Sequence, residues 1–237
     1  MPIFYDPSIS GKELSFMLNA DESAHACRVL RMKEGDKLTV LNGKGLFLNG
    51  IIAFSNPKGC EIKTISVVQQ DLLPFDIHIA IAPTKNSDRM EWLFEKATEI
   101  GITEITLLSC RNSERKYIRE DRLEKILVSA MKQSQRSFLP ILHPMRSVKD
   151  FIKANPNGLI AHCENSEKGS IERNWRTTNC PILIGPEGDF SHEEIEWAIS
   201  NGYHAISLGE NRLRTETAGL VACMHAVLSS QKIKTSL

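Results

Sequence analysis

No stretch of this 237-residue chain stays apolar for the ~20 residues that a bilayer-spanning helix needs, which excludes a helical membrane protein. The opening MPIFYDPSIS has neither the basic nor the apolar region of a signal peptide, so a cytoplasmic chain is expected. Cysteine is sparse: Cys27, Cys60, Cys110, Cys163, Cys180 and Cys223 lie far apart with no CxxC pair. That leaves no zinc knuckle, no dithiol redox motif and, in a reducing compartment, no disulfide framework. Most of these thiols are expected to be small, buried, apolar side chains. The seven histidines form no HxxxH or HxH pair, and no metal is expected. Neither sign of charge is in excess, with 29 Lys+Arg against 29 Asp+Glu, which excludes a globally basic nucleic-acid binder but not a local basic face. GxGxxG, GxxxxGK[ST] and GxSxG are all absent, so a Rossmann dinucleotide site, a P-loop and a hydrolase elbow are unsupported.

What is present fits a soluble globular chain: 41% hydrophobic and 24% charged residues, a balance that rules out disordered, collagen-like and coiled-coil sequences. Two textures meet near residue 72. In 1–72, Asp21 reads as the N-cap of a helix over roughly 22–30, with Gly35 beyond its end. Strand-like runs follow at 37–41, 46–54 and 61–68, separated by Asn42-Gly43, Lys44-Gly45 and Asn56-Pro57-Lys58-Gly59, which suits a small β-barrel. Gln69-Gln70-Asp71 then leads through Pro74 as a linker. From 75 the rhythm becomes strand, helix, strand, helix. Strands are expected at 76–82, 102–108, 158–163, 180–185 and 204–209. Helices are expected at about 87–100, 121–134, 191–202 and 215–230, with Ser191 and Glu194 in capping-box spacing. Such alternation predicts an α/β domain over 73–237 built on a mostly parallel sheet.

Ligands of open α/β sheets bind beyond the carboxyl ends of strands, and three such ends stand out. In ILIGPEGDFSHEE (182–194), Gly185 and Gly188 bracket Pro186-Glu187, giving a tight turn whose backbone can approach a ligand closely, followed at once by a capped helix. In SLGENRLRTETAG (207–219), a polar loop with Arg212 and Arg214 joins a strand to a helix. The third is Ala161-His162. A Gly-Pro-Glu-Gly turn without an adjacent lysine is less a phosphate cradle than a backbone-lined pocket for a neutral or zwitterionic ligand.

GPEGDFSHEEIEWA (185–198) together with LGENRLRTETAGLVA (208–222) resembles the paired C-terminal signature of the ribosomal small-subunit (16S) RNA uracil-N3 methyltransferases. These belong to the SPOUT superfamily of trefoil-knotted enzymes that use S-adenosylmethionine. Other segments agree. His25 through Val29-Leu30-Arg31 resembles the family's HxxxVLR element. Lys85 and Arg89-Met90-Glu91 resemble the start of its first long helix, Arg111 through Ser113-Glu114-Arg115 its RxSER segment, and Gln133, Arg136 and Pro140 a further run. The chain departs from the pattern with Lys132 before Gln133 and with Gln135 where glycine is frequent. The resemblance implies a PUA-like N-terminal domain over 1–72, a knotted methyltransferase domain over 73–237, and pairing as a homodimer. Strand and helix periodicity alone implies no knot.

The resemblance also implies a cofactor pocket of Ala161, His162, Ile184, Gly185, Pro186, Glu187, Gly188, Leu208, Gly209, Leu213, Arg214, Thr215 and Thr217. Its expected acceptor is N3 of a uridine in small-subunit ribosomal RNA, within the assembled 30S subunit. Arg214 stays protonated at neutral pH and cannot be a base, but its guanidinium can stabilise a uracil anion. Glu216 could take the proton if burial raised its pKa; its other reading is a carboxylate favourable at a helix N-terminus. Glu187 either binds cofactor or caps its own loop, and Thr217 is a cofactor contact or an N-cap. RNA contacts are expected from Arg28, Arg31 and Lys33, and from Lys85, Arg89, Arg115, Lys116 and Arg136. Phe4, Tyr5 and Trp92 read as core aromatics. The apolar face of the last helix, Leu220, Val221, Met224, Val227 and Leu228, is either an interface or ordinary core. Two rival readings keep the fold: a non-catalytic RNA-binding or ribosome-assembly factor, and methyl transfer to another RNA position such as a ribose hydroxyl.

Overall fold

A computed structural model describes residues 1–71, 75–115, 117–175 and 180–235. Pro74 and Lys116, named above, lie outside the described residues. The chain divides into two compact units: Met1–Leu72 with Val128–Leu139, and Leu73–Leu127 with Pro140–Leu237.

The first unit is a five-stranded sheet in the order β1-β3-β4-β5-β2, with β1 Ile3–Tyr5, β2 Ser15–Met17, β3 Lys37–Leu41, β4 Leu46–Phe54 and β5 Glu61–Gln69. β1 runs parallel to β3 and the other pairings are antiparallel. Along β4 the buried positions alternate from Leu46 to Ile52, the period of a half-buried strand. They meet Phe4, Leu18, Leu38, Val40 and Ile62 in one apolar core.

The helix expected over 22–30 needs correction. It is a short α-helix, α1 (Ala20–Ala24), that opens into a π-helical turn over His25–Val29. Its N-cap is Asn19, not Asp21: Asn19 Oδ1 accepts from Glu22 N at 3.0 Å while its Nδ2 donates to Tyr5 O at 3.0 Å. Two backbone ties fix Asn19 in the capping role and leave Asp21 in the first turn. Arg31 ends the element at φ 54°, and Met32 N donates back to Ala26 O at 3.0 Å. The segment 128–139 completes the unit. Gly45 N donates to Ser137 O and Leu139 N to Gly43 O, each at 2.9 Å, and Lys132 Nζ pairs with Glu22 at 2.5 Å. Gln135 adopts φ 56°, the left-handed conformation that glycine tolerates best.

The second unit carries a six-stranded, wholly parallel sheet in the order β11-β9-β10-β6-β7-β8. The strands are β6 His78–Ile81, β7 Glu104–Ser109, β8 Ile141–Ser147, β9 Leu159–Ala161, β10 Ile182–Ile184 and β11 His204–Ile206. Every residue of β6 and β10 is buried, as central strands covered on both faces require. The larger helices are α2 (Ser87–Ile100), α3 (Glu120–Gln133), α6 (His192–Ser200) and α7 (Thr215–Thr235), with shorter α4 (Val148–Ala154) and α5 (Ile171–Asn174). The expected capping box on α6 is present in both directions, Ser191 to Glu194. The last residues of α3 belong to the first unit.

One aromatic expectation changes. Phe4 is fully buried, but Trp92 is 44% exposed, because α2 turns Met90, Leu93, Phe94 and Ala97 inward and leaves position 92 on the outer side. On α7 the buried residues include Glu216 near its start and the small Gly219, Ala222, Cys223 and Ala226, while Leu220, Val221 and Val227 are half-buried and Met224 and Leu228 stand exposed. A Cβ at Gly219 would lie 2.8 Å from Ile81 Cδ1, so glycine lets this helix approach β6 closely. None of the six cysteines, all of them described, forms a disulfide. Four are buried, Cys163 is exposed, and Cys27 and Cys60 bring their sulfurs to 3.2 Å despite their separation in sequence. Among the described residues no helix is long and apolar enough to cross a membrane.

Candidate active site

β11, β9 and β10 are sheet neighbours, and the loops leaving their carboxyl ends converge with the start of α7 around a cavity of about 620 Å³. That volume is typical of a small-ligand site. Ala161, His162, Ile184, Gly185, Pro186, Glu187, Leu208, Gly209, Leu213, Arg214 and Thr215 all line it, as the sequence led one to expect.

Three of the expected residues do not line it, for a helical reason or a turn reason. Thr215 and Ala218 lie on one face of α7, and a helix advances about 100° per residue, so Glu216 and Thr217 point elsewhere. Gly188 is turned away, with its carbonyl accepting from Asn112 Nδ2 at 3.1 Å.

The walls are held by hydrogen bonds between loops. Thr215 Oγ1 donates to the Gly185 carbonyl at 3.1 Å, joining the first turn of α7 to the glycine turn. A Cβ at Gly185 would come within 3.1–3.2 Å of Phe190, so a side chain there would press on that ring. Asp189, at φ 62°, accepts from Cys163 N at 2.6 Å and from Phe190 N at 2.8 Å, tying the β9 loop to the β10 loop. Glu187 caps neither its own loop nor open space: its Oε1 accepts from Lys85 N at 3.0 Å. The RxSER segment buttresses this turn from behind. Arg111 N donates to Glu194 Oε1 at 2.9 Å, Cys110 N to Ser113 Oγ at 3.0 Å, and Arg115 Nη2 to Lys85 O at 2.5 Å.

Arg89, expected as an RNA contact, lines the cavity. Its Nε lies 3.6 Å from Glu216 Oε1. Glu216 is 6% exposed, and its second oxygen has no hydrogen-bond partner among the described residues. Lys168 and Asp189 also line the cavity. Asp189 was within reach of sequence reasoning because it directly follows the glycine turn, whereas Lys168 carried no local signal. The remaining basic candidates fall apart by unit. Arg28, Arg31 and Lys33 are exposed and Arg136 half-buried in the first unit, while Lys85 is exposed and Arg115 half-buried in the second.

His162 is the most informative wall residue. It is 8% exposed, and its Nδ1 has no hydrogen-bond partner among the described residues. Burial first, and the nearby Lys168 charge second, hold its pKa below the usual histidine value, so the ring faces the cavity neutral. A buried, unpaired ring nitrogen costs on the order of 1–3 kcal/mol until something bonds it. Charges of both signs share the walls, Arg89, Arg212 and Arg214 with Glu187, Asp189 and Glu210. A zwitterionic ligand with a heteroaromatic ring fits this combination.

Comparison with known proteins gives the same direction. Residues 71–227 match the family described as RNA methyltransferase domain, and residues 18–65 match RNA methyltransferase PUA domain. Ribosomal RNA small subunit methyltransferase E of Rickettsia conorii is 32% identical over 86% of each chain. The crystal structure of a probable rRNA-methyltransferase from Porphyromonas gingivalis superposes with a TM-score of 0.86 at 40% identity, covering 99% of this chain and 98% of that one. A putative methyltransferase of Legionella pneumophila, solved with the bound cofactor SAM, superposes with a TM-score of 0.82 at 28% identity, covering 98% and 97%. The parallel sheet, the cavity at its carboxyl edge and these matches lead to one conclusion: this chain belongs to the RNA methyltransferase family that includes ribosomal RNA small subunit methyltransferase E.

Proposed function

We propose that this chain transfers a methyl group from S-adenosylmethionine to N3 of a uridine in small-subunit (16S) ribosomal RNA. The observation that carries the reading is the cavity at three adjacent strand ends, with the unpartnered His162 Nδ1 in its wall; family membership and the cofactor-bound Legionella relative support it. S-adenosylmethionine, when bound, supplies a methyl carbon on a positively charged sulfur. His162, the Gly185–Glu187 turn, and Leu208, Gly209, Leu213 and Thr215 hold it. Backbone-rich walls do so without stabilising the charged sulfur so strongly that transfer is opposed.

Uracil N3 is a poor nucleophile until it loses its proton, and the resulting anion spreads charge onto O2 and O4. Arg214 lines the cavity from an exposed position and, permanently charged, stabilises that anion. Glu216 faces Arg89 rather than the cavity, which favours a positioning role over that of a base. Exposed Arg28, Arg31, Lys33 and Lys85 hold RNA phosphates, with Arg115 and Arg136, and each such contact steepens the salt dependence of binding by about 0.7–0.9 in log–log slope. The exposed apolar residues of α7, Met224 and Leu228, together with Trp92 on α2, form the face through which two copies pair. The substrate is the assembled 30S subunit, and the reaction takes place in the cytoplasm.

The test is methyl transfer from labelled S-adenosylmethionine to small subunits lacking the modification, followed by nucleoside mass spectrometry. N3-methyluridine that disappears with Arg214→Ala supports the reading. Cofactor binding without any N3-methyluridine refutes the acceptor.

A further inference from the structure

At the amino-terminal edge of the parallel sheet, opposite the strand ends that build the cavity, three side chains with metal-ligating atoms meet. β6, β7 and β8 are successive neighbours, with His78 opposite Glu104 and His143 opposite Thr106. Alternation along β7 puts Glu104 and Thr106 on one face, so all four side chains share it. The two imidazoles lie 5.5 Å apart between ring centroids, and Phe151 of α4 packs edge-on to His78 at 5.3 Å. Glu104 Oε2 is 2.7 Å from His143 Nε2 and 3.8 Å from His78 Nδ1, and one atom from each of the three residues falls within 4.8 Å of the others. His78 Nε2 is 2.8 Å from Thr106 Oγ1. With that nitrogen donating to the hydroxyl, the Nδ1 lone pair is directed toward Glu104. His78 is 5% exposed, while Glu104 and His143 keep side-chain exposures of 25% and 33%, so the cluster has a dry wall and a side that water can reach.

We propose that His78, Glu104 and His143 form a Zn²⁺ site, with Nδ1, Oε2 and Nε2 as ligands and water in the fourth position. Two imidazoles and a carboxylate are a donor set that zinc uses. Around a tetrahedral ion with bonds of 2.0–2.2 Å, ligand atoms stand about 3.4 Å apart, a value that the 2.7 and 3.8 Å separations bracket. Thr106 supplies the outer hydrogen bond that fixes a ligating imidazole's tautomer and orientation. The ion clips the amino ends of three strands, including the edge strand β8, whose pairing with β7 shifts register between Thr106 and Leu108. It stands apart from methyl transfer and stabilises the fold by binding it.

The test is calorimetric titration of the full, metal-stripped chain with zinc sulfate, alongside thermal unfolding. One zinc per chain with a raised melting temperature is expected, and His143→Ala or Glu104→Gln should each weaken binding at least about tenfold. Thr106→Val, which removes no ligand, should weaken it by a similar factor through lost orientation. Among the described residues zinc-ligating groups also come close at the His25–Glu22 and His225–Glu172 pairs, at the Cys27–Cys60 pair, and at His192 between Glu164 and Glu196, where opposite ring nitrogens face the two carboxylates. Cys27→Ser and His192→Ala should therefore leave affinity and stoichiometry unchanged, and Co²⁺ bound in place of zinc should show no thiolate charge-transfer band. The absence of saturable binding overturns the proposal, as does binding that survives His143→Ala or that disappears with Cys27→Ser. Methyl-transfer activity is read separately, so failure of the zinc site leaves the proposed reaction to its own test.

Discussion

Arg89→Ala should destabilise the chain, and Glu216→Gln should restore most of what is lost. The Glu216 carboxylate has a side-chain exposure of 8%, Arg89 has 38%, and 3.6 Å separates the charges. Removing the partner of a fully buried ion costs about 3–5 kcal/mol. Here solvent reaches the arginine end, which brings the expected cost to about 2 kcal/mol. For a chain of this size that is a fall in melting temperature of roughly 4–8 °C. A neutral glutamine needs no counter-charge, so Arg89→Ala/Glu216→Gln should melt within roughly 2–4 °C of the Glu216→Gln single variant. The assay is a double-mutant cycle in thermal unfolding, run beside methyl transfer for each variant. A positioning glutamate predicts that Glu216→Gln retains transfer within about tenfold, whereas loss of a general base costs about 10²–10⁴-fold. Glu216→Gln that binds cofactor and melts normally, yet falls into that range, would refute the positioning role. A double variant no more stable than Arg89→Ala would refute the charge argument.

Further outcomes follow from the same geometry. His162→Ala removes a buried nitrogen of the cavity wall that has no hydrogen-bond partner among the described residues, and S-adenosylmethionine affinity measured by calorimetry should fall about 2–10-fold. Gly158→Ala would place a Cβ 2.5 Å from the Pro181 carbonyl and 2.3 Å from the Tyr203 ring; the backbone oxygen cannot move aside cheaply, and a loss of about 3 kcal/mol is expected in denaturant unfolding. Glu13 accepts from Ser10 Oγ and N and from Gly11 N, and its pKa drops from 4.5 to about 2, chiefly through the Ser10 hydroxyl. A carboxyl depressed on folding stabilises fully above pH 4.5 and loses that contribution as pH falls toward 2. Glu13→Gln should flatten the stability–pH curve in that window, by less than about 1 kcal/mol because solvent reaches this half-buried group.

Much of the second unit is legible wherever a single local rule decides. The apolar run of β10 needs no partner to read as a buried parallel strand, and the Ser191–Glu194 pair marks the start of α6 by its own hydrogen bonds. β8 is illegible for the opposite reason: ILHPMRS has a proline and no clean alternation, and edge position alone tolerates it. The Asn19 cap depends on Tyr5, fourteen residues away. On α7 the apolar residues run around most of the helix, so their pattern alone does not decide that Gly219, Ala222, Cys223 and Ala226 go in and Met224 and Leu228 go out. The three cavity loops could be read from their glycines and strand ends. The target of Glu187 and the place of Arg89 could not, since Lys85 and Glu216 reach them only through the tertiary fold. Spacing rules for metals fail in the same way at His78, Glu104 and His143, which are neighbours only across strands.

The first unit closes on a segment that arrives late. Gly43 and Gly45 find their partners at Leu139 and Ser137, and Glu22 finds its cation at Lys132. A nascent chain emerging at about 5–20 residues per second therefore holds an unfinished N-terminal sheet for several seconds while the intervening residues are made. During that time the Asn42–Gly45 loop and the Glu22 carboxylate face water or whatever the ribosome surface offers. Cutting the gene after residue 72 would make that transient state permanent, so this unit is not an excisable module, and a fusion or split-protein design should place its break elsewhere.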